Sequence, residues 1–104
     1  MHVTLTRVST GDQPISNATI VGEEMHRWLR DLEGFAGFLM LSREGTTLGF
    51  TFWENSEVAE KHRTSRDEFR QRMSGVVGVE IEEVVDYQVM FAQVRALMIQ
   101  GETT

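Results

Sequence analysis

The sequence predicts an α+β fold in which a four-stranded antiparallel sheet carries two helices on one face. Three observations support that expectation. Apolar residues recur with strand periodicity in four stretches and with helical periodicity in two, in the order strand, helix, strand, strand, helix, strand. Two short apolar runs flank Glu44-Gly45, which reads as a tight hairpin turn because glycine tolerates a positive φ. Both runs are apolar on both faces: Phe38 and Met40 point one way, Leu39 and Leu41 the other, and Phe50 and Phe52 oppose Trp53. Two helices cover one face of a sheet only, so the other face needs a cover of its own.

The first strand, His2 to Ser9, is rich in Thr and Val, with Val3 and Leu5 on one side, and is bounded by Thr10-Gly11-Asp12. After Pro14, residues Ser16 to Thr19 offer N-caps, and Val21, Met25, Trp28, Leu29 and Leu32 then recur at helical spacing. The opposite helical face carries Glu23, Glu24, Arg27, Arg30 and Asp31, and Gly34 is placed to close the helix. His26 lies beside the apolar stripe and reads as a boundary residue, since no second ligand sits at i+3 or i+4. The hairpin strands run from Ala36 to Ser42 and from Leu48 to Trp53. Gly37 and Gly49 lie inside them, where glycine marks either a packing accommodation or an adjoining cavity.

Asn55 or Ser56 caps the second helix, which sets Val58, His62, Phe69 and Met73 on one face. A Ser-x-x-Glu capping box at Ser65 predicts a kink or break near that residue. Asp67 with Arg70 and Glu68 with Arg72 read as solvated helical pairs, which places the segment from Arg66 to Arg72 at the surface. Beyond Gly75 and Gly78 a long strand from Val79 to Phe91 is expected. Val79, Ile81, Val85, Tyr87, Val89 and Phe91 share one face, interrupted by Glu83, and Glu80, Glu82, Asp86 and Gln88 take the other. This acidic set reads as a solvated edge rather than a metal site, because alternation turns Glu83 away from its neighbours. Val94 to Ile99 is apolar enough to pack on something, and Gly101 to Thr104 is expected to fray.

The 104 residues suit a single domain, with a core over about 2–91 and a tail over 92–104. A formal net charge of -6 argues against nucleic acid or an anionic membrane as the main partner. No apolar run approaches the roughly 18 residues that span a bilayer, and the start, Met-His-Val-Thr-Leu-Thr-Arg, does not read as a signal peptide, so a cytoplasmic protein is expected. The absence of cysteine removes disulfides, thiolate metal sites and a cysteine nucleophile. Gly-x-Gly-x-x-Gly, phosphate-loop, His-Glu-x-x-His and Gly-x-Ser-x-Gly motifs are all missing.

Leu32-Glu33-Gly34-Phe35, Phe52-Trp53-Glu54-Asn55-Ser56-Glu57, His62, Ser65 and Phe69 together resemble the antibiotic biosynthesis monooxygenase domain of the dimeric α+β barrel superfamily. The pattern is a glycine-phenylalanine opening the second strand, a tryptophan-acid-x-x-acid ending the third, and a histidine and phenylalanine on the next helix. The resemblance implies a ferredoxin-like βαββαβ unit whose sheet packs against that of a second copy, making a homodimer. It also implies cofactor-free oxygenation of a small aromatic or quinol-like molecule, with no cofactor and no metal. A base and a shaped apolar pocket suffice for that chemistry. On this reading His62 takes a phenolic proton, and Trp53 and Arg66 hold the resulting oxyanion. The competing structural reading makes Trp53 a core filler and His62 a hydrogen-bonded boundary residue. The haem-degrading branch of the superfamily fits poorly: His62 and Arg72 fall where its tryptophan and ligating histidine stand, and residues 2–10 hold no asparagine. The alternative to an enzyme is a dimeric module that binds a hydrophobic metabolite or only assembles.

Overall fold

The structure is a computed structural model that describes residues 1–9, 11 and 15–95. Its elements are β1 (His2–Ser9), α1 (Ile15–Leu29), β2 (Phe35–Arg43), β3 (Thr46–Trp53), α2 (Ser56–Lys61), α3 (Arg63–Val77) and β4 (Glu80–Gln88). The strands form one sheet in the order β2-β3-β1-β4, with every neighbouring pair antiparallel. This is the expected ferredoxin-like βαββαβ plan, its second helix divided in two. Among the described residues no helix is long and apolar enough to cross a membrane.

Residues directly opposite each other in a ladder share a face, so the register sorts the side chains. Trp53, Thr51, Gly49 and Thr47 of β3 face the helices together with His2, Thr4 and Thr6 of β1 and Phe38 and Met40 of β2. Leu39, Leu41, Phe50, Phe52, Val3, Leu5 and Val85 face the other way. The core lies on the helical side: Met25, Leu29, Trp53, Ala59 and Phe69 are buried, with Val21, Trp28, Leu32, Phe35, Phe38 and Val58 packed around them. Trp28 stacks on Phe69 at 5.0 Å and 7°, which ties α1 to α3. On the opposite face Leu39, Leu41 and Tyr87 remain about half exposed (46%, 48% and 52%), so the apolar outer surface foreseen in the hairpin is present.

Several boundaries differ from the sequence reading. Helix α1 is already under way at Ile15, so Ser16 to Thr19 sit within its first turns rather than capping it; Pro14, Thr10 and Asp12 lie outside the described residues. The helix ends at Leu29, and Gly34 acts later, at the start of β2. Its φ of +81° suits glycine alone, and a Cβ there would stand 2.2 Å from a methyl of Val58. Asn55 is the cap of α2, its side chain accepting from the Val58 amide at 2.9 Å.

The break between α2 and α3 falls at His62 and not near Ser65. His62 closes α2 with φ -100° and ψ 6°, and its carbonyl then accepts the Arg66 amide at 2.9 Å to open α3. Strand β4 stops at Gln88, short of Phe91, and Val89 donates to the Met1 carbonyl at 2.9 Å. The single-face reading of β4 is also corrected: Val8 pairs with Ile81 but Arg7 pairs with Glu83, so Glu82 is an extra residue that reverses the alternation. Ile81, Val84 and Asp86 therefore face the helices, while Val85 and Tyr87 face outward. Met90, Phe91 and Val94 are 81 to 89% exposed; residues 96–99 and Gly101 to Thr104 fall outside the described part, as does the Met73 side chain.

Candidate functional site

The end of β3 and the joint between α2 and α3 bring the three candidate residues together. Trp53 is the last residue of β3 on the helical face and is fully buried. His62 occupies the joint, and Arg66 follows one helical turn later, so both side chains reach the same indole. The His62 ring lies 5.6 Å from the Trp53 ring, tilted by 30°. The Arg66 guanidinium stands over the indole at 5.2 Å from its centroid, within cation–π range. Phe35 closes the far side edge-on at 6.3 Å and 86°.

Arg66 is buried to 1% exposure, which overturns the expectation that the segment from Arg66 to Arg72 is solvated. Arg70 is buried too, at 8%, although its expected pairing with Asp67 is formed at 2.5 Å. Arg72 lies over the Phe69 ring at 5.3 Å. The residues that receive Arg66 come from other elements: one guanidinium nitrogen donates to the Ala59 carbonyl at 2.6 Å and another to Thr4 Oγ1 at 3.3 Å. Both partners are neutral. Desolvation, followed by repulsion from Arg70 and Arg63, lowers the pKa of Arg66, with Asp86 acting in the opposite sense.

Thr4 passes the network onward by donating to Asp86 Oδ1 at 2.7 Å. Asp86 also accepts from Arg63 at 2.8 Å and from His2 Nε2 at 3.2 Å. Burial alone would raise the Asp86 carboxyl, but hydrogen bonds from Thr4, Arg63 and His2 outweigh it and hold the pKa at about 2, below the ordinary 3.8. A depressed carboxyl stabilises the fold above its unfolded pKa and loses that contribution as pH falls towards the folded value. The protein is therefore expected to lose on the order of 2 kcal/mol more stability than Asp86→Asn does between about pH 5 and pH 2, in urea titrations across that range. Equal losses in the two proteins would show that the cluster does not hold Asp86 ionised.

His62 is half-buried, with Nε2 3.2 Å from the Glu33 carbonyl. A carbonyl only accepts, so Nε2 carries the hydrogen and Nδ1 is left as the basic nitrogen of the neutral ring. The neighbouring Lys61 contacts the Glu33 carboxylate at 2.6 Å, and this hydrogen bond lowers the Glu33 pKa. Three buried polar atoms have no partner among the described residues: Trp53 Nε1, Arg66 Nε and Thr47 Oγ1. Two are donors belonging to candidate residues, and such orphans are rare in native proteins. The two strand glycines separate clearly. A Cβ on Gly37 would make an ordinary contact with Phe52 at 3.6 Å, whereas one on Gly49 would meet none of the described residues within 4 Å.

A separate groove of about 470 Å³ runs between α3 and β4, lined by Arg63, Asp67, Arg70, Gln71, Ile81 and Val84. Its arginines are already engaged, Arg63 by Glu60 and Asp86 and Arg70 by Asp67, so it offers no free charge to a ligand. Sequence reasoning missed Thr4, Asp86, Arg63 and His2. Thr4 and Asp86 are direct partners across β1 and β4, and only the register downstream of the Glu82 bulge sets them face to face.

No protein-family model and no curated protein matches the chain. Solved structures do match. A Deinococcus radiodurans protein assigned as an antibiotic biosynthesis monooxygenase superposes with a TM-score of 0.68 at 14% identity, covering 94% of this chain and 99% of its own. SnoaB, a cofactor-independent oxygenase from Streptomyces nogalater solved as a point mutant, gives 0.67 at 11% identity, covering 88% and 95%. This chain has the antibiotic biosynthesis monooxygenase fold. A Streptomyces coelicolor monooxygenase of the same fold, solved in complex with the ligand nanaomycin D, matches with a TM-score of 0.61 at 15% identity over 90% of this chain and 92% of its own. Within the monooxygenase fold seen here, Trp53, His62 and Arg66 meet where the end of β3 packs against the joint between α2 and α3.

Proposed function

We propose that this protein is a cofactor-independent monooxygenase acting on a small aromatic or quinol-like molecule, and that it works as a homodimer. The observation that carries the proposal is the pair of buried donors without a partner among the described residues, Trp53 Nε1 and Arg66 Nε, on side chains that meet beside His62. Donors held dry without an acceptor are suited to an oxyanion that arrives with a substrate. That one protein of the same fold is a cofactor-independent oxygenase supports the reading.

In the reaction His62 Nδ1 accepts a phenolic proton, and Arg66 and Trp53 stabilise the phenolate. The electron-rich ring then reduces oxygen itself. For a quinol, one oxygen atom enters at a ring carbon and the other leaves as water, so quinol plus O2 gives hydroxyquinone plus water. The ring supplies four electrons, two from the quinol oxidation and two from the C–H bond that becomes C–OH. Burial of the guanidinium strengthens its attraction for the phenolate because little water screens the pair.

His62→Ala is expected to lower oxygen consumption with candidate quinols by about 10² to 10⁴-fold, the usual contribution of a general base. The loss should be greatest at neutral pH and shrink as alkali ionises the substrate directly. A variant as active as the parent at every pH would remove His62 from the mechanism. A non-catalytic binding module is the second reading, favoured by the complete enclosure of Trp53 in the core. Binding of the same quinols without oxygen uptake would select it.

The homodimer reading rests on the apolar outer face of the sheet, where Leu39 and Leu41 stand half exposed beside Phe50 and Phe52. Sedimentation equilibrium is expected to give twice the chain mass, and the double variant Leu39→Asp, Leu41→Asp the chain mass. A monomeric parent protein would end this part of the proposal.

A further inference from the structure

We propose that α2 is a lid, and that its lifting opens the way to Trp53 and Arg66. The inference concerns access and not the chemistry that follows. Trp53 is 0% and Arg66 1% exposed, yet each carries a donor without a partner among the described residues. A ligand meets those donors only if part of their cover moves. Trp53 belongs to β3, an internal strand, which cannot leave without breaking two ladders. Helix α1 is anchored by buried Met25 and Leu29 and by the stack of Trp28 on Phe69, and α3 by buried Arg66, Phe69 and Arg70. Helix α2 is held more lightly. Of its six residues only Ala59 is buried, while Ser56, Glu57, Glu60 and Lys61 are exposed. Lifting it exposes little apolar surface beyond one methyl group and half-buried Val58.

Both ends of α2 are built as joints. The Glu54 amide donates to the Gly34 carbonyl at 2.9 Å, which fixes the chain up to the cap residue Asn55. At the other end His62, with φ -100° and ψ 6°, interrupts the helical run, so α2 can swing without bending α3. The latch closes on one residue of the turn before β2: Lys61 Nζ meets the Glu33 carboxylate at 2.6 Å, and His62 Nε2 the Glu33 carbonyl at 3.2 Å. An exposed ion pair and one neutral hydrogen bond are weak ties, suited to repeated opening. The last tie lies inside, where Arg66 Nη2 donates to the Ala59 carbonyl at 2.6 Å. When α2 lifts, water takes that carbonyl and Nη2 is released beside Nε, while Thr4 still holds Nη1. A ligand oxygen then occupies the place of the Ala59 carbonyl.

The test is hydrogen exchange of the Trp53 indole N–H in the whole protein, followed by NMR, with Trp28→Phe used to assign the two indole signals. Corrected for intrinsic rates, the indole is expected to exchange about tenfold or more faster than the Thr51 amide of the same strand. Low concentrations of urea should leave that rate unchanged, because lifting a lid exposes little surface. The double variant Asn55→Ala, Lys61→Met lacks both cap and latch and is expected to speed indole exchange about tenfold. Arg7→Met breaks an exposed pair with Glu83 outside the lid and should not change it. Indole exchange that rises with urea in step with Thr51 would show that only global unfolding reaches Trp53. Equal rates in the parent and the double variant would show that another element moves, and either result overturns the lid. None of these readings involves oxygen uptake, so the lid can fail while the monooxygenase reading stands, and the reverse.

Discussion

Arg66→Met is expected to leave the protein folded, with its melting temperature within a few degrees of the parent, while quinol oxidation falls by about 10² to 10³-fold. Two opposing effects set the stability. A guanidinium at 1% exposure whose direct partners are a carbonyl and a hydroxyl carries a desolvation penalty that methionine removes. Against that, the Ala59 carbonyl loses its donor, at a cost of about 1–3 kcal/mol, comparable to the gain. Thr4 is less affected, because its own hydroxyl still donates to Asp86. A side chain kept for architecture alone would behave otherwise: its removal would unfold the protein. Thermal unfolding and oxygen uptake on the same preparation separate the cases, and full activity in folded Arg66→Met would rule out the oxyanion role.

Trp53→Ala should be the most damaging single truncation, costing roughly 3–5 kcal/mol and lowering the melting temperature by about 15 °C or more. The indole is fully buried at the point where Leu29, Ala59 and Phe69 meet, with Phe35 against its edge. That loss follows whether or not the residue has a chemical role, so the informative partner is Trp53→Phe. Phenylalanine retains an aromatic surface for Arg66 but lacks the N–H. A folded Trp53→Phe protein that has lost much of its turnover would assign the donor a role; one with parental turnover would leave Trp53 to packing.

Much of this architecture was legible in the chain because hydrophobic periodicity encodes it. His2 to Ser9 emerged as a strand with the expected bounds, the Glu44-Gly45 turn has φ of +32° and +80°, and Met25 and Leu29 are buried as their spacing required. Trp53, His62 and Arg66 were named from residue type and resemblance, and they do lie together. The environment of Arg66 was not legible. An arginine among helical acid and base residues reads as solvated, and only a threonine and a carbonyl brought by other elements make its burial tolerable. The helical break was misplaced for a related reason. A capping box at Ser65 is a local signal, yet α2 already ends at His62, where the Arg66 amide finds a carbonyl to restart the helix. The two strand glycines were equivocal in the chain, and only the folded surroundings show that a Cβ on Gly37 would make an ordinary contact with Phe52.

The extra residue at Glu82 bears on how this strand can change length over evolutionary time. Because Val8 pairs with Ile81 and Arg7 with Glu83, excising Glu82 alone would straighten the ladder and leave every later partner as it is. Losing a residue between Val84 and Asp86, with the bulge kept, would instead invert everything beyond it, exposing the carboxylate that serves Thr4, Arg63 and His2 and driving Val85 or Tyr87 towards the helices. Glu82 is thus the position in β4 where an indel is silent, and homologues one residue shorter in this strand should have shed it there.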